Sequence, residues 1–171
     1  MKSSELLTDG YTRINELVAR ALEDATSAEL AFRPDPEANS IAWLVWHLTR
    51  VQDSHLAEVL DAEQRWMSEG WAERFEFPFE IASTGFGHTS EQVAAVGGAP
   101  LELLRGYHDD VHEHTLRFLA GIADPDLDRV VDTRWDPPVT LGVRLISVLS
   151  DNLQHAGQAL FVRGISGRVG A

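Results

Sequence analysis

The sequence contains no cysteine among its 171 residues. This absence excludes disulfide bonds, thiolate metal ligands and a cysteine nucleophile. Any metal site must therefore be built from histidine, aspartate or glutamate, which are ligands for hard or borderline divalent ions. A chain without disulfides is also compatible with the cytoplasmic location that we expect.

Positive charge is scarce, because 14 lysines and arginines stand against 27 aspartates and glutamates and give a formal net charge of -13. Such a surface repels phosphate backbones and anionic lipids. Long hydrophobic runs are absent as well, since no uninterrupted apolar stretch approaches the roughly 20 residues that span a bilayer. Residues 1–18 also lack the apolar core of a secretory signal. We therefore expect neither a nucleic acid nor a membrane as a partner.

Apolar residues recur at helical spacing along much of the sequence. A shorter helix is predicted from Thr89, a good N-cap, to Val96. Ser40 and Pro100 suit the starts of two longer helices, and Gly164 suits the end of the last one. The four long predicted helices cover residues 4–22, 40–67, 100–120 and 140–163.

Long helices that each carry one apolar face bury that face most simply as a bundle. We therefore predict an all-α fold, an antiparallel four-helix bundle that forms one domain over residues 1–171. Residues 130–135 can pair only briefly as extended chain, because so short a stretch cannot make a sheet alone.

The connection over residues 68–99 is long and rich in glycine and aromatic residues, and connections of this length are usually functional or pack on themselves. The aromatic residues in and just before it either cover one end of the bundle or line a substrate pocket. These residues are Trp66, Trp71, Phe75, Phe77, Phe79 and Phe86.

The last predicted helix carries polar residues on its inward stripe, which comprises Val148, Asp151, His155, Gln158 and Val162. An unpaired buried charge costs several kcal/mol, so Asp151 needs a partner. Residues at i and i+4 project side by side, as the two histidines of HExxH do when they bind zinc. Asp151 and His155 are therefore either metal ligands, a buried ion pair or a surface pair.

A third ligand is available in His47, which lies in the middle of the second helix in line with Trp43 and Val51. Metal sites of helix bundles use inward side chains from facing helices. Three protein ligands leave coordination positions for water or substrate, as in catalytic sites. The alternative is that His47 is a hydrogen-bonded core histidine.

Four other histidines are candidate ligands with weaker support. His108 and His112 also stand at i and i+4, but acidic neighbours favour a solvated helix surface there. His55 is expected near the end of the bundle, two turns after His47. His88 lies in the long connection, from which it could approach an open site.

Two segments, WLVWHLTRVQD at 43–53 and LISVLSDNLQHAGQALFVRG at 145–164, resemble the DinB/YfiT-like superfamily. The sequence looks closest to the branch once called domain of unknown function 664, and the resemblance extends over nearly the whole chain. It implies an up-down-down-up four-helix bundle with three metal ligands, commonly three histidines. The first ligand matches His47 and the last matches His155. The middle one falls on Asp151, so the resemblance implies a His-Asp-His set.

The superfamily includes bacillithiol and mycothiol S-transferases, so the resemblance implies a metal-dependent transferase that joins a small-molecule thiol to an electrophile. The expected cofactor is a divalent ion, zinc or nickel first and manganese or iron next. Gln158 and Trp43 are expected to contact the substrate or support the ligands, and the protein is expected to be a homodimer. The alternatives are a metal-dependent hydrolase, for which the sequence offers no general base, and a non-catalytic stress protein that binds a metal or small ligand.

Overall fold

Helices dominate the computed structural model of the protein, which describes residues 1–169. A single turn of 3-10 helix (Asp124–Asp128) precedes the two short strands. In chain order, the elements are α1 (Ser3–Leu22), α2 (Ser27–Ala31), α3 (Ile41–Leu60), α4 (Arg65–Ser68), α5 (Trp71–Phe75), α6 (Ser90–Gly97), α7 (Leu101–Ala120), β1 (Val130–Asp132), β2 (Val139–Thr140) and α8 (Leu141–Val169). The prediction of a helical fold is confirmed.

The core lies between the four long helices. α1 packs against α7 and α8, and α3 packs against the same two helices, so the contacts run in the order α1, α7, α3, α8. Apolar residues at helical spacing fill the space between them, including Ile14, Leu44, Leu48, Val111 and Leu119. This arrangement places the inward side chains of α3 directly against those of α8.

α3 begins where the sequence predicts and ends earlier. The Ser40 hydroxyl accepts the backbone N–H of Trp43 at 3.2 Å and caps the first turn. Asp61 adopts a left-handed conformation with φ of 50° and ends the helix. The prediction of one helix over residues 40–67 is therefore wrong, because the chain turns at Asp61 before α4 begins.

α8 continues through Gly164 to Val169, so the predicted stop at Gly164 is wrong. One glycine inside a helix costs only about 1 kcal/mol, which tertiary contacts can offset. Arg163 supplies such contacts, because it pairs with Glu29 and donates to the Glu23 carbonyl at 3.1 Å. Although α8 has 29 residues, no helix within residues 1–169 is both long and apolar enough to cross a membrane.

A buried arginine fastens the long connection to α3. Arg50 is fully buried and donates to the Ser83 carbonyl at 3.2 Å and to Gln64 Oε1 at 2.7 Å. Asp53, one turn later, accepts the backbone N–H groups of Arg65 and Trp66, each at 2.8 Å. Because buried charges are costly without partners, these contacts hold the connection at its start and in its middle.

The aromatic residues of this connection pack onto the core of the bundle, with one exception. Trp66, Trp71 and Phe75 are buried, and Phe77 and Phe79 pack against them and against the main core. Phe86 is instead 93% exposed. Five of the six aromatic residues therefore cover the core, which is the first of the two interpretations. Phe86 does not.

A small hairpin precedes α8. β1 and β2 pair antiparallel, with Val130 opposite Thr140 and Asp132 opposite Val139. The hairpin is anchored by Asp132, whose carboxylate is buried and accepts from Arg134 at 2.8 Å and from Arg144 at 2.6 Å. These contacts hold Arg134 and Arg144 beside the first turn of α8.

Candidate metal centre

Three of the sequence-predicted ligands come together between α3 and α8. One ligand atom each from His47, Asp151 and His155 lies within 4.8 Å of the other two. His47 is buried, whereas Asp151 and His155 are half-buried. The helical register brings this about, because His47 occupies the inward side of α3 and the other two residues occupy one side of α8.

The hydrogen bonds of both imidazoles leave the same nitrogen free. His47 Nδ1 lies 2.5 Å from the Thr84 carbonyl oxygen, and His155 Nδ1 lies 2.9 Å from Gln158 Oε1. Because these oxygens only accept, each Nδ1 carries a proton, and the neutral form of each ring keeps its lone pair on Nε2. Metal-binding histidines are held in this way, with the other ring nitrogen on a carbonyl or carboxylate oxygen.

The carboxylate also fits a cation. Asp151 Oδ1 lies 3.6 Å from His155 Nε2, and Asp151 Oδ2 is buried with no hydrogen-bond partner among the described residues. A buried carboxylate oxygen without a partner is costly, and a bound cation would satisfy it. Two imidazole nitrogens and one carboxylate oxygen are suitable ligands for zinc, nickel, manganese or iron. The residues present therefore fit a divalent ion.

The pKa values of the two histidines are shifted in opposite directions. Burial lowers the pKa of His47, which favours the neutral form that binds metals. The hydrogen bond with Asp151 raises the pKa of His155, and the same bond lowers the pKa of Asp151. In the metal-free protein Asp151 thus favours the protonated form of His155, and a bound ion would take the place of that proton at Nε2. The ion-pair and metal-ligand interpretations of Asp151 and His155 are therefore compatible. The carboxylate faces a proton on His155 in the first and a metal ion in the second.

Trp43 supports the ring of His47. The two rings stack with centroids 4.5 Å apart, and the edge of Trp43 meets His155 at 6.4 Å. Trp43 Nε1 donates to His88 Nδ1 at 3.1 Å, so His88 Nε2 carries the proton that it donates to Ser83 Oγ at 2.8 Å. Both nitrogens of His88 are therefore engaged beside the centre rather than offered to it.

Sequence reasoning missed the loop that holds His47. Thr84 contributes only its backbone carbonyl, and Gly85 adopts φ of 100°, a conformation that favours glycine. A Cβ at Gly85 would lie 2.8 Å from His47 Nδ1, so the loop approaches this closely only with glycine. The string Gly85-Phe86-Gly87 is the sequence signal, since glycines on both sides of an aromatic residue indicate an unusual backbone.

An open cavity of about 350 Å³ adjoins the three residues. Apolar Val51, Val148 and Phe86 line it together with His55 and Ser147, and His47 and Asp151 contribute to the same lining. Gln158 is exposed and contacts His155 instead of this cavity. An ion held here would thus face a pocket with space for a small molecule.

His108 and His112 are buried, with 1% and 8% of their surfaces exposed, so the interpretation as solvated surface is wrong. The Thr49 hydroxyl donates to the Val45 carbonyl, and His108 Nδ1 in turn donates to the Thr49 hydroxyl oxygen at 2.9 Å. Burial lowers the pKa of His108 to about 3. The acidic neighbours that suggested a solvated face point elsewhere on α7.

The helical fold and this site define a candidate metalloprotein. The family model DinB_2, described as DinB superfamily, matches residues 11–159. The chain therefore belongs to the DinB superfamily, whose members are generally metal-binding. A crystal structure of a conserved protein from Enterococcus faecalis has a TM-score of 0.88 and 32% sequence identity, and the match covers 95% of this chain and 96% of that chain. No curated protein matches.

Proposed function

We propose that this protein is a metal-dependent S-transferase of the branch once called domain of unknown function 664. It would activate a low-molecular-weight thiol at His47, Asp151 and His155 and transfer it to an electrophile. One observation carries the proposal: both imidazoles have Nδ1 fixed by an oxygen, which leaves Nε2 for an ion, and they lie within 4.8 Å of a carboxylate with an unsatisfied oxygen. Three ligands beside an open cavity leave room for a substrate atom.

Each residue of the site has its own role in the proposed reaction. A bound divalent ion supplies the positive charge that favours the thiolate over the thiol. Asp151 offsets part of this charge, and its oxygen widens the choice of ion from zinc and nickel towards manganese and iron. Val51, Val148 and Phe86 offer the electrophile an apolar wall. Trp43 and Gln158 keep the two imidazole rings in place.

Metal analysis of protein purified without an affinity tag tests the site. We expect one divalent ion per chain in the wild type and none in the His155→Ala variant. His114→Ala removes a histidine outside the group and serves as the matched control. Full metal stoichiometry in His155→Ala would refute the ligand assignment.

The activity is tested on metal-loaded protein with a panel of thiols and one chromogenic electrophile. We expect turnover that requires both the ion and the thiol, and that falls to background in His155→Ala. Protein loaded separately with zinc, nickel, manganese and iron identifies the active metal. Absence of thiol-dependent turnover with all four ions would contradict the transferase.

A metal-dependent hydrolase is the second candidate, and His55 is the observation that favours it. His55 lines the same cavity as Asp151, and burial lowers its pKa, so it is available as a neutral base for a water molecule. His55→Gln should then abolish hydrolysis of an ester substrate with the ion still bound. Thiol transfer that survives this substitution, without hydrolysis in the wild type, would exclude the hydrolase.

Two structural expectations belong to the same proposal. The cyclic contacts of α1, α7, α3 and α8 support the antiparallel four-helix bundle with up-down-down-up topology. An outward stripe of exposed apolar residues on α8 supports a homodimer, because exposed patches of this kind mark interaction sites. The stripe comprises Val143, Ile146, Leu153 and Phe161.

A further inference from the structure

A second recess adjoins the cavity of the candidate metal centre. It has a volume of about 370 Å³ and lies at the first turn of α8, between the hairpin and α3. Its lining consists of His55, Asp132, Arg134, Trp135 and Arg144. Because His55 also lines the cavity beside Asp151, the two spaces meet at this side chain, and together they are called the groove between the metal centre and a pair of arginines.

The nitrogen atoms of this recess are incompletely used. Arg144 donates to Asp132 Oδ2 at 2.6 Å, but its Nε is buried without a hydrogen-bond partner among residues 1–169. Nδ1 of His55 is in the same condition, and Glu58 Oε2 approaches it only to 3.6 Å. Buried polar nitrogens without partners are rare and costly, so a ligand towards which Arg144 turns its Nε would remove this cost.

The recess concentrates positive side chains, which are scarce in this chain. The protein has a net charge of -13, yet two arginines line this recess with one buried carboxylate, that of Asp132, between them. Glu58 pairs with Arg134 at 2.6 Å from the rim, where Arg134 is largely exposed and free to exchange partners. An incoming anion would compete with Glu58 for Arg134 and would meet Arg144 without a competitor other than Asp132.

An exposed tryptophan completes the recess. Trp135 is 66% exposed, although burial of a tryptophan is strongly favourable. Its ring offers an apolar plane beside the two guanidinium groups, a combination suited to an organic anion rather than to a small inorganic ion.

Helix geometry gives the length of the groove. His47 and His55 stand eight residues apart on α3, which corresponds to about 12 Å at 1.5 Å per residue. Asp151 and Arg144 stand seven residues apart on α8, which corresponds to about 10 Å. A molecule that spans both spaces must therefore place its anionic group about 10 Å from the atom at the metal centre.

We propose that Arg144 and Arg134 bind the carboxylate of a substrate whose opposite end reaches the candidate metal centre. This inference rests on the proposed function and specifies its substrate class, an organic carboxylate about 10 Å long. The planar fork of an arginine matches a carboxylate through two parallel hydrogen bonds. Trp135 covers the hydrocarbon part next to the carboxylate.

Isothermal titration of the metal-loaded protein tests the length and the charge together. The probes are ω-mercaptooctanoate, about 10 Å long when extended, and its neutral analogue ω-mercaptooctanol. We expect the carboxylate to bind about tenfold more tightly, as one charge-assisted interaction provides. Mercaptopropionate and mercaptopropanol, which are too short to reach Arg144, should bind equally. Equal binding of the two long probes would overturn the inference.

Variants locate the effect on the recess. Arg144→Gln should remove the tenfold preference for the long carboxylate, whereas Arg144→Lys should retain part of it. Arg105→Gln, which removes an exposed arginine elsewhere, is the matched control and should keep the full preference. Since Arg144 also holds Asp132, Trp135→Ala is a second variant that leaves the ion pair intact and should weaken both long probes. A preference that persists in Arg144→Gln would contradict the assignment.

A metal-free titration separates this inference from the proposed function. Octanoate and octanol are added to metal-free protein, and the tryptophan indole N–H signals are followed by nuclear magnetic resonance. A shift with octanoate that is lost in Arg144→Gln supports the recess even if no thiol turnover is found. Metal-dependent binding of the thiol probes without any carboxylate preference would leave the metal centre standing and overturn the recess.

Discussion

The carbonyl oxygen of Thr84 lies 2.5 Å from Nδ1 of His47, a residue 37 positions earlier in the chain. This contact determines which nitrogen of neutral His47 carries the proton, and hence that Nε2 keeps the lone pair that a metal ion needs. The loop reaches His47 because Arg50 holds the neighbouring Ser83 carbonyl and because Gly85 has no side chain. The chemistry of the centre thus depends on a loop that supplies no ligand.

Gly85→Ala is predicted to weaken metal binding tenfold to a hundredfold, which is typical for loss of a partner that orients a ligand. The added Cβ would lie 2.8 Å from His47 Nδ1. Gly87→Ala is the matched control, since Gly87 also has a positive φ but no atom within 4 Å of its Cβ position. Competition with a chromogenic chelator measures the affinity. Equal affinities for Gly85→Ala and wild type would show that the Thr84 contact is dispensable.

Gln158→Ala is predicted to reduce metal affinity about tenfold, because the His155 ring loses the oxygen that accepts from its Nδ1. Gln154→Ala, one turn away on the exposed side of α8, should leave the affinity unchanged. The same chelator competition provides the comparison. If both variants match the wild type, Gln158 has no role in holding the ring.

Asp151→Asn is predicted to lower the pKa of His155, since the hydrogen bond to the Asp151 carboxylate is the main cause that raises it. Titration of the His155 ring by nuclear magnetic resonance in metal-free protein measures this change. In the wild type, metal binding should weaken as the pH falls through the raised pKa of His155, because the proton competes for Nε2. An unchanged His155 titration in Asp151→Asn would show that the two side chains do not interact in solution.

The stability of the protein is predicted to fall in mild acid because of His108. Its folded-state pKa is about 3 and its ordinary value is 6.5, so the unfolded chain takes up a proton first. The free energy of unfolding should thus be highest above pH 6.5 and decrease below it, by up to about 1.4 kcal/mol per pH unit from this residue. Urea unfolding at a series of pH values measures the slope. His108→Asn, which can still donate to Thr49, should give a smaller slope, and an identical slope would exclude His108 as the cause.

Ile146→Glu is predicted to convert the proposed homodimer to a monomer, because a charge in the centre of an apolar interface is desolvated without a partner. Ile81→Glu, a substitution of similar exposure in the long connection, should leave the dimer intact. Sedimentation velocity distinguishes the two states. A wild-type protein that sediments as a monomer at all concentrations would refute the homodimer.

The sequence by itself determined the features that depend on neighbours in the chain. Hydrophobic periodicity located the long helices, and the Ser40 cap located the start of α3. Spacing alone placed Asp151 and His155 side by side, and the family resemblance added His47, which the structure brings within 4.8 Å of both. The helix positions and the Asp151–His155 pair follow from helical geometry, which acts over three or four residues.

Only the tertiary structure decided what depends on distant parts of the chain. Whether His108 is buried depends on Thr49 of another helix, and whether α8 passes Gly164 depends on the contacts of Arg163 with residues 23 and 29. The position of the proton on His47 depends on the backbone carbonyl of Thr84, and a backbone contact of this kind cannot be read from the type of residue at position 84. Sequence patterns report local preference, whereas burial and ligand orientation are set by packing between segments that are far apart in the chain.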